Sequence, residues 1–207
     1  SLATVLSPED HAERPTSAGR PVLHVETRIV DEEMRFLPSG ETGEIVGRAI
    51  SMMRGYINRE EQTRDMLWTS PEGLVFYRSG DMGRVDEEGF VYILDRRKDM
   101  IISGGFNIYA VDLEKVLLAH PAVADVAVIG IPSEQWGETP LGLVVLREGC
   151  DTDLTTLCDW ANQQLGKAQR LSALEQRDSL PRSTIGKILK RELRAPYWQE
   201  QPQSARG

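Results

Sequence analysis

The residues that most constrain this fold are AVADVAVIGIP, Ala122 to Pro132. So dense a β-branched run, with one acid in it, suits a strand buried on both faces rather than one lying on a surface. PLGLVVL, residues 140–146, is a second run of the same kind. Two amphipathic patterns flank the pair. VDLEKVLLAHP puts Leu113, Val116 and Leu117 on one helical face and is stopped by Pro121. TDLTTLCDWANQQLG carries Leu154, Leu157, Cys158, Ala161 and Leu165 on one stripe, with Gly166 as the expected stop. A short basic helix is expected in GKILKRELR, carrying Ile188, Leu189 and Leu193. Strands and helices in this order predict a compact mixed α/β unit.

Upstream of Asp99 the texture differs. PVLHVETRIV alternates in type, TGEIVGRAI follows a turn at Pro38 to Gly40, and GLVFYRSGD follows Pro71. GRVDEEGFVYILD reads as two strands joined at Asp86 to Gly89. Short strands punctuated by Gly, Pro and Asp predict a small barrel or a strongly bent sheet. The fold class expected is therefore α+β, a small β-barrel subdomain followed by a mixed α/β domain. The boundary falls at Arg97 to Asp99. Residues 1–20 are expected to be an irregular lead-in, 21–97 the barrel-like part, 98–195 the second domain and 196–207 a polar, frayed tail.

Charge and composition narrow the function. The 207 residues carry a net charge of −8, which argues against nucleic acid as the main partner. No apolar run approaches the ~20 residues of a membrane-spanning helix. Cys150 and Cys158 match no zinc or redox spacing, and His11, His24 and His120 are scattered, so no metal site is expected. The opening SLATVLSPED does not resemble a signal peptide and reads as the middle of a longer chain, in a cytoplasmic setting.

Four segments carry candidate chemistry. In YRSGD, Asp81 follows a glycine at a strand end, where its two oxygens can accept hydrogen bonds from a vicinal diol; an acid in an ordinary turn is the plainer alternative. In DRRKD, Arg96 offers a planar fork to ribose or phosphate and Lys98 sits where the textures meet, against the alternative of a solvated linker. In ISGGFN, Gly104 and Gly105 can admit a narrow ligand or simply turn a hairpin. In LPRSTIGKILKREL, a P-loop fails, because Pro181 takes the first glycine's place and Ile188 the Ser/Thr place. What remains is Lys187 on a glycine-softened loop, either a surface lysine or a mobile ammonium for developing negative charge.

Taken together, YRSGD, DRRKDMIISGGFNIY, VDLEKVLLAHPAVADVAVIGIP with WGE after it, and LPRSTIGKILKREL resemble the C-terminal part of the adenylate-forming superfamily, over residues 20–195. IISGGFNIY is similar to the fatty- and aryl-acid CoA ligases, and the basic KIRG-like sequence of peptide-synthetase domains is absent. Ala110 and Asp112 depart from the family pattern, where proline and glutamate are common. The resemblance implies an acid–thiol ligase that uses ATP, Mg²⁺ and coenzyme A and releases AMP and pyrophosphate. It implies that Asp81 binds the ribose hydroxyls, Arg96 contacts the nucleotide, Lys98 is the hinge of a mobile domain, Lys187 serves adenylation, and Gly104, Gly105 and Phe106 line the CoA channel. The family's phosphate loop and magnesium carboxylate lie upstream of these motifs, so the 207 residues are expected to be a fragment, inactive alone, whose partners include its own N-terminal part. An adenylation domain loading a carrier protein, and a non-catalytic nucleotide- or CoA-binding module, are the alternatives.

Overall fold

The computed structural model describes residues 4–199. Of the tail expected over 196–207, residues 196–199 belong to the last helix, Lys190–Gln199, and those beyond 199 lie outside the described residues. The chain forms two compact units, Ser1–Lys98 and Asp99–Gly207.

The first unit opens with β1 (Thr4–Val5), α1 (Pro8–Glu13) and β2 (Arg20–Pro21), where β1 and β2 pair antiparallel. The lead-in expected to be irregular therefore holds a helical turn. Ser7 caps it, accepting from the Asp10 N–H at 3.1 Å, and Pro8 fills the first position, where a missing N–H costs nothing. β3 (Val25–Val30), β4 (Thr42–Ala49), α2 (Glu60–Met66), β5 (Leu67–Thr69), β6 (Val75–Val85) and β7 (Val91–Arg96) follow. The sheet order is β3-β4-β6-β5 with β7 also on β6, all antiparallel. Among the described residues no pairing returns from β5 or β7 to β3. The small barrel expected here is therefore not closed: the strands form an open sheet, with bulges at Glu44/Val46 and Met82/Gly83 that re-aim them. Both faces are covered, because adjacent residues point opposite ways. Ile29, Ile45 and Val91 pack on one side, and Val30, Val46 and Phe76 on the other, where Phe36, Trp68 and Phe76 meet at centroid distances of 5.4–5.7 Å. A 3-10 turn at Arg97–Asp99 ends this run.

The second unit contains β8 (Ile101–Ser103), β9 (Phe106–Ile108), α3 (Ala110–Leu118), β10 (Val123–Ser133), β11 (Gly137–Leu146), α4 (Leu154–Gln164), β12 (Ala173–Gln176) and α5 (Lys190–Gln199). The sheet runs β10-β11-β8-β9, and β12 joins β11 in parallel. Alternation along β10 explains its uninterrupted apolar text. Val126 and Val128 pack with Leu113, Leu117, Leu157 and Cys158 of α3 and α4, while Ala127 and Ile129 pack with Leu180, Ile188, Leu193 and Tyr197. Asp153 caps α4 by accepting from the Thr156 N–H at 2.7 Å.

Two local expectations change. α4 ends on Leu165 in an extended conformation, and Gly166 has φ −63°, so the stop is not a left-handed glycine. The basic helix begins at Lys190, because Ile188 bridges Arg182 in a small hairpin instead of taking helical bonds. Among the described residues no helix is long and apolar enough to cross a membrane.

Candidate functional site

In the first unit, the bulged centre of β6 builds the site. Gly80 has φ +70°, a left-handed conformation that a side chain disfavours. The Ser79 hydroxyl donates to the Ile45 carbonyl at 2.7 Å and accepts from the Asp81 N–H at 3.0 Å, so the turn that presents Asp81 is pinned from both sides. Asp81 pairs with Arg96 across β6 and β7, and Arg96 Nε donates to Asp81 Oδ1 at 2.9 Å.

Beside this pair is an open cleft of about 660 Å³ lined by Tyr56, Tyr77, Ser79, Gly80, Arg96 and Lys98. Glu44, Arg78 and Arg97 also line it, and none of the three was singled out from the sequence. Glu44 is 5% exposed and accepts from Arg78 Nε at 3.2 Å, Arg78 Nη2 at 2.6 Å and Arg97 Nη1 at 3.1 Å. The carboxylate raises the Arg78 guanidinium above its ordinary value against the opposing effect of burial, so Arg78 is charged at any working pH. The one sequence signal for this group was an acid between apolar residues in TGEIVGRA, and an acid there usually marks a solvent face.

In the second unit, Gly104 and Gly105 form the turn between β8 and β9, with φ of +57° and +81° and Ser103 paired to Phe106. Two positive φ values in a two-residue loop are the requirement of a type I′ hairpin. The Gly104 N–H donates to the Trp136 carbonyl at 2.9 Å, and a Cβ on Gly104 would stand 2.8 Å from the Trp136 ring. Ile102, Phe106 and Trp136 remain exposed around this turn. Under it, the half-buried Glu138 accepts from the Ile102 N–H at 3.3 Å, and burial raises its carboxyl above the ordinary range despite the Ile102 bond and the charge of Arg194.

Lys187 stands in the Arg182–Ile188 hairpin. Its N–H donates to Ser183 Oγ at 3.1 Å, its carbonyl accepts from the Ser183 N–H at 2.8 Å, and Gly186 has φ +81°. Arg182 braces the loop, donating to the Gly186 carbonyl at 2.7 Å and to Asp125 at 2.6 Å. The backbone at Lys187 is thus fixed while its side chain is exposed. His120 is structural: its Nδ1 accepts from the Ala122 N–H, and its ring meets Trp160 edge-on at 4.7 Å. Among the described residues no group of three or more His, Cys, Asp or Glu is placed to hold a metal.

Residues 1–57 match the model of the AMP-binding enzyme family, and residues 112–187 match its AMP-binding enzyme C-terminal domain. A 2-succinylbenzoate–CoA ligase of Bacillus cereus is 38% identical over 179 residues, covering 86% of this chain and 35% of the relative. A long-chain fatty-acid–CoA ligase of Bacillus subtilis is 39% identical over 194 residues, covering 90% of this chain and 34% of the relative. Among solved structures, the o-succinylbenzoate–CoA synthetase MenE of Bacillus subtilis, in complex with its acyl-adenylate intermediate, superposes with a TM-score of 0.81 at 36% identity, covering 93% of this chain and 38% of that one. ATP-bound MatB of Rhodopseudomonas palustris gives a TM-score of 0.80 at 34% identity, over 88% of this chain and 36% of its own. The chain spans about a third of the length of these relatives. With both segments of the family matched and the motif order of its ligases intact, the chain belongs to the AMP-binding, adenylate-forming enzymes.

Proposed function

We propose that this chain is the C-terminal portion of an ATP-dependent acid–CoA ligase, with a fatty acid as the favoured substrate. In the first half-reaction a carboxylate oxygen attacks the α-phosphorus of ATP and pyrophosphate leaves. In the second, the thiolate of coenzyme A attacks the acyl carbon and AMP leaves with the bonding pair. Residues 21–97 belong to the nucleotide-binding domain and 98–195 form a mobile domain hinged at Lys98. The observation that carries this reading is the Asp81–Arg96 pair beside a cleft that Arg96 and Lys98 both line.

Asp81 has a second carboxylate oxygen for the ribose hydroxyls, and Arg96 has donors left for phosphate once Nε is engaged. Lys187 places an ammonium on a flexible stem above a fixed backbone, which suits a contact made in one half-reaction and released in the next. The two-glycine turn ringed by Ile102, Phe106 and Trp136 offers a narrow apolar surface to the pantetheine arm of coenzyme A. Magnesium, supplied with ATP, would neutralise phosphate charge, and its ligands are assigned to the upstream part of the enzyme. The 207 residues alone are proposed to be inactive, and the enzyme to work in the cytoplasm.

The test is Lys187→Ala in the whole ligase. Pyrophosphate exchange should fall about 10²- to 10³-fold, the usual loss for one transition-state donor, while thioester formation from supplied acyl-adenylate is largely spared. An equal fall in both half-reactions would remove Lys187 from its role.

A further inference from the structure

The geometry points to Glu44 as a positioning residue of the cleft, one that holds Arg78 and Arg97 as a fixed cationic wall for the phosphate of a nucleotide. The inference rests on the nucleotide reading of the cleft and goes beyond it, since neither arginine nor the acid was part of that reading.

Three observations carry it. First, Glu44 is buried on β4 and receives three guanidinium hydrogen bonds from two arginines, one on β6 and one in the turn after β7. A buried carboxylate needs such pairing, and a single anion between two cations leaves one net positive charge on that wall. Second, both arginines line the cleft that Arg96 and Lys98 also line. Arg97 spends one amino group on Glu44 and its side chain is 47% exposed, so donors remain within reach of a ligand. Third, two unanchored guanidinium groups this close would repel and turn to solvent. The shared carboxylate fixes their geometry before a ligand arrives, which is where a charged wall gains over loose surface lysines. Asp65, exposed on α2, is the other acid that lines the cleft and acts on Arg78 electrostatically; it formally offsets the wall's one net charge, but it is exposed and screened by water, and Arg96 and Lys98 add positive charge to the same lining.

The competing role is structural, because Glu44 also stands at the β4–β6 bulge. The two roles separate by ligand. The 207-residue chain is titrated calorimetrically with AMP and with adenosine, which differ only by the phosphate. AMP is expected to bind about tenfold tighter, the value of one charge-assisted contact. Glu44→Gln, which keeps the size and loses the charge, should bring AMP close to adenosine while leaving adenosine itself unchanged, and Glu44→Asp should retain part of the preference. Arg97→Gln should erode the same preference, and adding it to Glu44→Gln should cost little more.

Equal weakening of both ligands in Glu44→Gln, or an unchanged preference, overturns the positioning role. Should Glu44→Gln not fold, Arg97→Gln decides alone: an undiminished AMP preference overturns the inference. Asp81→Ala tests the underlying reading separately, since it should weaken both ligands together. Binding of neither ligand by the unaltered chain would sink that reading and this inference with it.

Discussion

Asp81 and Arg96 face one another as register partners on β6 and β7, with Arg96 Nε 2.9 Å from Asp81 Oδ1. Arg96 is 52% exposed at its side chain, so water screens the pair and its worth to stability is small. Its worth to a ligand is larger, because the acid is held in place before binding. Asp81→Ala should therefore leave the thermal midpoint of the first unit nearly unchanged. It should also abolish discrimination between AMP and its 2′,3′-dideoxy analogue, which the unaltered chain should favour less by about tenfold. Calorimetric titration with both nucleotides, beside a melting curve, reads each half. A variant that melts early but keeps the preference would make Asp81 a structural residue.

Gly104→Ala tests the hairpin of the second unit. The substitution places a Cβ at φ +57° and within 2.8 Å of the Trp136 ring. The left-handed backbone alone costs about 1–2 kcal/mol for a residue with a side chain. Denaturant titration should show at least that loss, and combining the change with Trp136→Ala should recover only the steric part. Gly105→Ala, where a Cβ would meet open space at φ +81°, should cost the backbone term and nothing more.

What the sequence disclosed and what it hid divide along a physical line. Local chemistry was legible. The apolar stripe from Leu154 to Leu165 gave α4, Pro121 ended α3, and the double glycine gave a turn whose backbone signs then matched. Motif order gave the family. Pairings across long stretches of chain were not legible: Glu44 meets Arg78 and Arg97 only because a bulge turns β4 against β6. Nor was the start of α5, where Ile188 is drawn by Arg182 into a β-bridge and by Leu180 into the core, overriding its place in a helical pattern. The lead-in was misread because its helix is too short to show a period, although Ser7-Pro8 was a start signal in plain text.

The two cysteines should respond differently to an alkylating reagent. Cys158 is buried on α4 among Leu157, Leu171 and Leu174, and burial raises its thiol above the ordinary value, which lowers the reactive thiolate. Cys150 is exposed. Mass spectrometry after a short iodoacetamide pulse should show one adduct, at Cys150, in the native chain and two in denaturant. Rapid native labelling of Cys158 would mean that α4 opens locally far more often than its packing allows.

Glu138 gives a pH dependence whose sign follows from its surroundings. Burial raises its folded value above the ordinary 4.5, more than the Ile102 N–H and the Arg194 charge together lower it. The folded state then binds more protons at this site than the unfolded state, so stability contributed here is complete below the ordinary value and is lost as pH rises through the folded one. Glu138→Gln keeps an acceptor for the Ile102 N–H and removes the charge that burial penalises. The variant should resist urea better than the unaltered chain at about pH 7, and the two should converge near pH 4 as the carboxyl protonates. Paired urea titrations at the two pH values read the difference. Destabilisation at pH 7 would mean that the bond to Ile102 and the attraction to Arg194 outweigh desolvation, reversing the sign argued here.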